Sequence, residues 1–318
     1  MTYFLGMDGG GTKTAFVLLD GNGTVVAEDR QPSSYYFGSE SGIDLVEQVL
    51  RAGVGAVVAA AGIRVEDLTF AFLAIPGYGE ASADVAHLDA MPARVLGHDR
   101  YLCGNDMLSG WAGSLAGRDG INVVAGTGSV AYGERGHRAH RTGGWSELFG
   151  DEGSAYWVAV QGLNAFSRMA DGREPRTALH GAVREALEVR DDGDDLDVIG
   201  VVVDRWQGDR SRIAGLARVV TATAAAGDAR ALGIVRAAAA ELAALVTTTA
   251  TALGHGSQDE VAVSWSGGLF NAPVVRSEFE EALQHSPFRL ELVTPQHGPE
   301  LGGALYAVRA ARARGVVV

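Results

Sequence analysis

The chain has 318 residues, of which 47% are hydrophobic, and this is enough for two globular domains of ordinary size. Its 26 basic and 39 acidic residues give a formal net charge of −13, which argues against a nucleic-acid partner because such proteins usually carry a basic patch. The single cysteine, Cys103, excludes an internal disulfide. The sequence shows no signal peptide, and no apolar run approaches the ~18 residues of a membrane span. These features predict a cytoplasmic protein with no membrane partner.

The first three strands are predicted within residues 3–29, and a glycine-rich turn joins the first two. Its sequence is Asp8-Gly9-Gly10-Gly11-Thr12-Lys13. Consecutive glycines leave backbone amides uncovered, and such amides form a concave site for anions. Thr12 adds a hydroxyl donor, and Asp8 places a carboxylate where a phosphate-bound Mg²⁺ would need one. Because the turn leads into a strand and has Thr12 at the lysine position, it is not a Walker A loop.

The next stretch alternates helix and strand, which indicates an α/β fold. After a loop over residues 30–40, Ser41 is expected to cap a helix that runs to about residue 61. Apolar runs at 68–75 and 100–104 predict buried strands, and residues 107–116 predict a helix. Asp106 follows the second of these strands, so it is predicted to be a helix N-cap, a general base that accepts a proton from a substrate hydroxyl, or both.

The second half of the chain repeats the opening pattern. A strand over 121–125 leads into Gly126-Thr127-Gly128-Ser129, and further strand follows to about residue 141. Two glycine-rich hairpins that each carry a threonine, about 115 residues apart, indicate an internal duplication. Ligands of open sheets bind at the carboxyl ends of the strands, so two facing halves would place both turns on one cleft.

A glycine-rich stretch over residues 143–153 carries groups suited to a sugar. The Asp151 carboxylate can accept hydrogen bonds in pairs, and Trp145 offers an apolar face to a sugar ring. The alternative is a loop with a helix cap at Asp151 and a core tryptophan. Residues 177–255 are predicted to be mostly helical.

The end of the chain predicts two more strands and a final helix. A strand over 261–265 precedes Ser266-Gly267-Gly268, where glycine either allows a close approach of adenine or ribose or simply makes a tight turn. The last strand is predicted at 290–293 and the last helix at 301–311.

Together these motifs resemble those of N-acetylglucosamine kinases, which belong to the BadF/BadG/BcrA/BcrD-type ATPases of the actin, hexokinase and heat-shock chaperone superfamily. The resemblance implies an α/β protein of two ribonuclease-H-like domains, a duplicated actin-like ATPase fold, with ATP and sugar in the interdomain cleft. The implied domains are residues 1–116, with the helix of about 300–318 packing back onto them, and residues 117–299. The motifs that carry the resemblance are Asp8-Gly9-Gly10-Gly11-Thr12-Lys13, Asp106, Gly126-Thr127-Gly128-Ser129, Gly143-Gly144-Trp145, residues 150–157 and Ser266-Gly267-Gly268-Leu269-Phe270.

The resemblance also implies a role for each matching residue. Asp8 would orient Mg²⁺ and Asp106 would be the catalytic base. The residues implied to bind ATP are Gly9, Gly10, Gly11, Thr12, Lys13, Thr127, Gly128 and Ser129 at the phosphates, and Gly267 and Gly268 near adenosine. The residues implied to hold the sugar are Asp106, Gly144, Trp145, Ser146 and Asp151. Related kinases tend to carry an asparagine in the loop after the third strand, where this chain has residues 32–36, so Ser33, Ser34 or Tyr35 would take its place.

The predicted function is phosphorylation of an amino-sugar hydroxyl by ATP with Mg²⁺, in a homodimer as is common in the family. N-acetylglucosamine is the first candidate substrate, and glucosamine and an N-acetylmuramic acid-type sugar are the alternatives. An activating ATPase of the same family would hold an iron–sulfur cluster on cysteines, which the lone Cys103 argues against. A sugar-binding repressor would carry a helix-turn-helix ahead of the first strand, and a chaperone would need an extra peptide-binding domain.

Overall fold

The computed structural model describes residues 1–190 and 192–316, and the chain divides into two compact units. The first unit comprises Met1–Arg118 and Thr294–Val318, and the second comprises Asp119–Val293. The last two residues of the 300–318 segment lie outside the described residues.

The first unit is a sheet covered by helices. Its elements are β1 (Tyr3–Gly9), β2 (Lys13–Asp20), β3 (Val25–Pro32), α1 (Asp44–Ala61), a 3₁₀ turn (Val65–Asp67), β4 (Phe70–Ala74), α2 (Ser82–Ala90), α3 (Ala93–Leu96), β5 (Tyr101–Gly104), α4 (Asp106–Ser114) and, from the end of the chain, α12 (Pro299–Ala313). The strand order is β3-β2-β1-β4-β5. β1 to β3 pair antiparallel, whereas β4 and β5 continue the sheet in parallel with β1.

Alternation along β1 and β2 sends side chains to two separate cores. Leu5 and Phe16 pack with the apolar residues of α1, and Phe4 and Val17 pack with the alanines of α12. The approach of α12 is close, because a Cβ added at Gly6 of β1 would lie 2.0 Å from the backbone nitrogen of Ala304. Both faces of the sheet are therefore buried, which explains the nearly continuous apolar runs in the sequence.

The second unit repeats this sheet with a larger helical part. Its elements are β6 (Gly120–Ala125), β7 (Ser129–Arg135), β8 (Arg138–Gly143), α5 (Ala155–Ala170), α6 (Ala178–Ala186), α7 (Asp197–Ile199), a π-helix (Gly200–Arg205), α8 (Arg210–Gly215), α9 (Ala217–Ala225), α10 (Ala229–Ala252), β9 (Glu260–Ser266), a 3₁₀ turn (Gly268–Asn271), α11 (Pro273–Gln284) and β10 (Arg289–Leu292). The strand order is β10-β9-β6-β7-β8, with β6 to β8 antiparallel and β9 and β10 parallel to β6. The predicted α/β fold with a duplicated sheet is confirmed.

Helix α10 is long and apolar enough to cross a membrane by length and composition, and 44% of its most apolar window is buried. Its residues Leu242 and Val246 belong to the core of the second unit. A buried core helix of a soluble protein has the same properties, so this helix is weak evidence for a membrane span.

Two local expectations differ from the structure. Ser41 does not cap α1, whose N-cap is Ile43 without a side-chain hydrogen bond. The sequence pattern also missed α2 and α3, because Leu88 is the only buried residue of α2 and the apolar periodicity there is weak.

Candidate active site

The first glycine turn joins β1 to β2 at one end of the first sheet. Gly10 donates its N–H to the carbonyl of Lys13 at 2.9 Å, which closes the turn. A Cβ at Gly9 would lie 2.6 Å from Cδ of Pro76, so this position has no room for a side chain. Residues 11–13 are exposed at the tip. The turn thus has the open backbone of an anion site, and phosphate binding by its residues stays a prediction.

Two carboxylates lie near each other at the carboxyl edge of the same sheet. Asp8 is the penultimate residue of β1 and is mostly buried, and Asp106 follows β5, which runs parallel to β1 through β4. The pKa of Asp8 is raised to about 7, first by burial and second by the charge of Asp106, against an interaction with the Ser109 hydroxyl that lowers it. The pair thus carries unfavourable negative charge, and a divalent cation would relieve it.

Asp106 is the first residue of α4, and Asn105 is the N-cap. The side-chain oxygen of Asn105 accepts a hydrogen bond from the N–H of Met107 at 3.1 Å. The interpretation of Asp106 as the cap is therefore wrong, because its neighbour already fills that position. A carboxylate in the first turn of a helix is stabilised in its ionised form by the helix dipole. The role of Asp106 as a base stays a prediction.

Lys13 forms an ion pair with Glu300, in the first turn of α12. Arg30 of β3 lies 3.5 Å from the same carboxylate oxygen. Sequence reasoning missed Glu300, because it lies 287 residues from Lys13 along the chain and belongs to no motif. The C-terminal helix therefore supplies an anion that anchors the lysine of the first glycine turn.

The loop after β3 supports the first glycine turn through two serines. The Ser33 hydroxyl donates to the carbonyl of Gly10 at 2.7 Å, and the hydroxyls of Ser34 and Thr14 lie 3.0 Å apart. Ser34 is fully buried, so its hydroxyl faces the core in this structure. Tyr35 is 44% exposed. Of the three residues considered as substitutes for the asparagine, Tyr35 has the side chain open to solvent.

The second glycine turn, residues 126–129, joins β6 to β7 and rests on the start of α5. Gly126 accepts a hydrogen bond from the N–H of Ala155 at 2.9 Å, and the Ser129 hydroxyl donates to the carbonyl of Glu152 at 2.6 Å. Thr127 and Gly128 are partly exposed at the tip. The turn is therefore fixed by backbone bonds, and its hydroxyl and amide groups at the tip remain open to a ligand.

The loop between β8 and α5 holds the residues predicted to bind sugar. Gly144 and Ser146 both have a left-handed backbone, with φ of 74°, and the Ser146 hydroxyl lies 2.9 Å from Oε2 of Glu147. Trp145 is 67% exposed, so the alternative of a core tryptophan is wrong. Its ring is free to cover an apolar ligand face, as a sugar ring would require.

Asp151 lies in the same loop but is only 4% exposed. Its Oδ1 accepts a hydrogen bond from the N–H of Ser129 at 3.3 Å, and its Oδ2 lies 2.5 Å from Nη2 of Arg210. The cap of α5 is Ser154, which accepts from the N–H of Trp157, so the interpretation of Asp151 as that cap is wrong. Sequence reasoning missed Arg210, because it is one of many basic residues in a helical stretch without a motif.

Gly267 follows β9 and packs against the start of the second glycine turn. Its φ is 97°, and a Cβ there would lie 2.4 Å from the carbonyl carbon of Ala125, the last residue of β6. Gly268 has nothing within 4 Å of an added Cβ. Gly267 thus allows its own backbone to pack closely on the end of β6, and Gly268 borders open space; the contact of both residues with nucleotide stays a prediction.

Within residues 1–190 and 192–316, no group of three or more His, Cys, Asp or Glu side chains could hold a metal ion by protein ligands alone. Mg²⁺ commonly binds through one or two carboxylates together with substrate phosphates. The Asp8 and Asp106 pair fits that second kind of site.

The sequence profile of the BadF/BadG/BcrA/BcrD ATPase family matches residues 5–307. The chain belongs to this family. Family membership implies the use of ATP and agrees with the glycine turns in the two sheets.

This ATPase-family chain also aligns from end to end with curated proteins. The N-acetylmuramic acid/N-acetylglucosamine kinase of Clostridium acetobutylicum is 26% identical over 314 residues, covering 96% of this chain and 98% of the relative. The N-acetyl-D-glucosamine kinase of Dictyostelium discoideum is 25% identical over 316 residues, with coverages of 96% and 97%. The resemblance to amino-sugar kinases is therefore confirmed over the full length.

Solved structures have the same fold. A candidate N-acetylglucosamine kinase of Chromobacterium violaceum matches with a TM-score of 0.67 and 25% identity, covering 96% of this chain and 98% of that one. A ROK hexokinase of Thermus thermophilus matches with a TM-score of 0.60 and 17% identity, covering 97% of this chain and 99% of that one. At this identity the match shows a similar fold only.

Proposed function

We propose that this protein is an ATP-dependent kinase that phosphorylates a hydroxyl of an amino sugar, with N-acetylglucosamine as the substrate. The observation that carries the proposal is a glycine turn between antiparallel strands in each of two equivalent sheets, in a chain aligned over 96% of its length with amino-sugar kinases. Such turns offer backbone amides to phosphate without the helix that a Walker A loop requires.

In the first unit, the turn would offer the amide of Gly11 and the hydroxyl of Thr12 to the phosphates, while the Gly10 N–H closes the turn on the carbonyl of Lys13. Lys13, held by Glu300, adds a positive charge beside them. Asp8 would hold Mg²⁺, which neutralises charge on the phosphates when it is bound.

Asp106 would act as the base in the transfer step. The sugar hydroxyl oxygen attacks the γ-phosphorus of ATP, a new O–P bond forms and the bond from this phosphorus to the β–γ bridging oxygen breaks. The hydroxyl proton moves to the Asp106 carboxylate, and ADP leaves with the electron pair of the broken bond.

In the second unit, the amides of Thr127 and Gly128 and the Thr127 hydroxyl would bind phosphate, and Gly267 and Gly268 would lie near adenosine. Ser129 would hold this turn in place, because its N–H donates to Asp151 and its hydroxyl donates to the carbonyl of Glu152. The sugar would be held by Gly144, Trp145, Ser146 and Asp151. The exposed Trp145 would supply the apolar face. The Asp151 carboxylate would supply the hydrogen-bond acceptor.

The loop after β3 contributes Tyr35 and Ser34. Ser34 supports the glycine turn from within the core, and Tyr35 presents an exposed ring. An aromatic ring in place of an amide would recognise a sugar by its apolar face rather than by a paired hydrogen bond. The enzyme is proposed to work in the cytoplasm as a homodimer with Mg²⁺-ATP.

The test is ADP release with Mg²⁺-ATP against N-acetylglucosamine, glucosamine, N-acetylmuramic acid, N-acetylmannosamine and glucose. We expect N-acetylglucosamine to raise turnover most. A stronger response to glucosamine or N-acetylmuramic acid would reassign the substrate within the same class. The Clostridium acetobutylicum relative is named for two of these sugars, which is the reason to include N-acetylmuramic acid.

The matched variants are Asp106→Asn and Asp99→Asn, since Asp99 is an exposed carboxylate that precedes β5. Loss of a general base lowers kcat by about 10²–10⁴-fold, and only the first variant should show this. Sugar-independent ATP hydrolysis that rises with a second protein, with no sugar phosphorylated, would favour an activating ATPase and refute the proposal.

A further inference from the structure

We propose that Arg210 is a positioning residue that holds the Asp151 carboxylate against the second glycine turn and thereby sets the affinity for the sugar. The inference rests on the proposed function, because the sugar is the ligand that Asp151 would bind. Arg210 belongs to none of the motifs that identify the family in this sequence.

The geometry joins three segments of the second unit. Arg210 is the first residue of α8, and its Nη2 lies 2.5 Å from Oδ2 of Asp151. Its Nε lies 3.1 Å from Oε2 of Glu147, in the loop that carries Trp145. A Cβ added at Gly128 would lie 2.8 Å from the same Nη2 and 2.7 Å from Oδ2 of Asp151. The guanidinium therefore lies between the loop that joins β8 to α5 and the second glycine turn.

The burial of the two partners differs. The Asp151 side chain is 4% exposed and that of Arg210 is 40% exposed. The Arg210 side chain therefore extends from a buried carboxylate to the solvent. Asp151 also has a left-handed backbone, with φ of 57°, which a residue with a side chain adopts at a cost. The bonds from Arg210 and Ser129 offset that cost and fix both carboxylate oxygens.

The carboxylates of Glu147 and Glu152 make ionisation of Asp151 less favourable, and the Arg210 cation offsets this effect. Burial raises the pKa of the Asp151 carboxyl, and Glu147 and Glu152 raise it further, whereas the Ser129 N–H and Arg210 lower it. Only an ionised carboxylate accepts sugar hydroxyls with both oxygens. Arg210 therefore favours the ionised form as well as the geometry.

Replacement of Arg210 by Gln tests this role. We expect KM for the sugar to rise by about 10- to 100-fold, the range for a hydrogen bond to a charged group, with a smaller change in KM for ATP. Loss of the cation raises the pKa of Asp151, so the acid limb of kcat/KM for the sugar should move to higher pH. If Arg210 had only a structural role, the acid limb of kcat/KM for the sugar would stay at the same pH.

Two matched variants serve as controls. Arg210→Lys keeps the charge but lacks the planar fork, so it should restore the pH limb while KM stays partly raised. Arg212→Gln removes an exposed arginine of the same helix, and it should leave KM and the pH profile unchanged.

Amide exchange of Ser129 provides a readout that needs no activity. Arg210→Gln should accelerate exchange at Ser129, because the Asp151 acceptor is no longer held there. Unchanged exchange together with an unchanged KM for the sugar would overturn the inference. If the wild-type protein phosphorylates no sugar of the panel, the proposed function fails, and the exchange rate of Ser129 still decides whether Arg210 positions Asp151.

Discussion

Replacement of Asp8 by Asn should stabilise the folded protein, and by more at high pH than at low pH. The pKa of Asp8 rises from 3.8 to about 7 on folding, mainly through burial and then through the charge of Asp106. Between these values the folded state binds more protons at Asp8 than the unfolded state does. The free energy of unfolding therefore falls as the pH rises through this window. Asn has the size of protonated Asp but cannot ionise. The free energy of unfolding of the variant therefore does not fall with pH through this group.

The magnitude follows from the two pKa values. At 1.36 kcal/mol per pH unit, the raised pKa of Asp8 lowers the free energy of unfolding by up to about 4 kcal/mol at pH 8 and by about 1.7 kcal/mol at pH 5, where Asp8 is protonated in the folded state and ionised in the unfolded state. The gain in stability of Asp8→Asn over wild type should thus be more than 2 kcal/mol larger at pH 8 than at pH 5, by the same estimate.

Urea unfolding of both proteins at pH 5 and pH 8 measures this difference, with the exposed Asp99→Asn variant as the matched control. The stabilised Asp8→Asn protein should also lose sugar-dependent ADP release, because the proposed function has the Asp8 carboxylate hold Mg²⁺. A stability difference that is the same at both pH values, or a loss of stability at pH 8, would refute the account of Asp8 as a mostly buried carboxylate with a raised pKa.

Three further predictions concern single positions. Gly267→Ala should lower the urea midpoint strongly, because its Cβ would lie 2.4 Å from the backbone of Ala125. Gly268→Ala, where an added Cβ has nothing within 4 Å, should change the free energy of unfolding by no more than about 0.5 kcal/mol. Equal urea midpoints of the two variants would contradict this prediction. Trp145→Ala should raise KM for the sugar without changing the midpoint, since the ring is 67% exposed, and an unchanged KM would remove Trp145 from the sugar site. Asp106→Asn should unfold at a urea midpoint no lower than that of wild type, since Asn105 caps α4 and the substitution removes a charge that raises the pKa of Asp8; a lower midpoint would contradict this, and a loss of kcat in the folded variant reports on chemistry.

The sequence by itself was sufficient for the fold class and for the two glycine turns. Period-two apolar runs and glycine clusters are local signals, and the turn at residues 8–13 and the turn at 126–129 both join antiparallel strands as expected. The order of the motifs along the chain was also enough to identify the family. These features depend on residues that are neighbours in sequence, so no tertiary information is needed to see them.

Only the tertiary structure decided which side chains meet around the turns. Glu300 reaches Lys13 because α12 packs on the first sheet through small residues. Arg210 reaches Asp151 because α8 begins beside the loop between β8 and α5. Likewise, Ser34 is buried and Tyr35 exposed because the loop after β3 folds onto the glycine turn. Such contacts join residues far apart in the chain, and a charged residue without a motif carries no local signal of its partner.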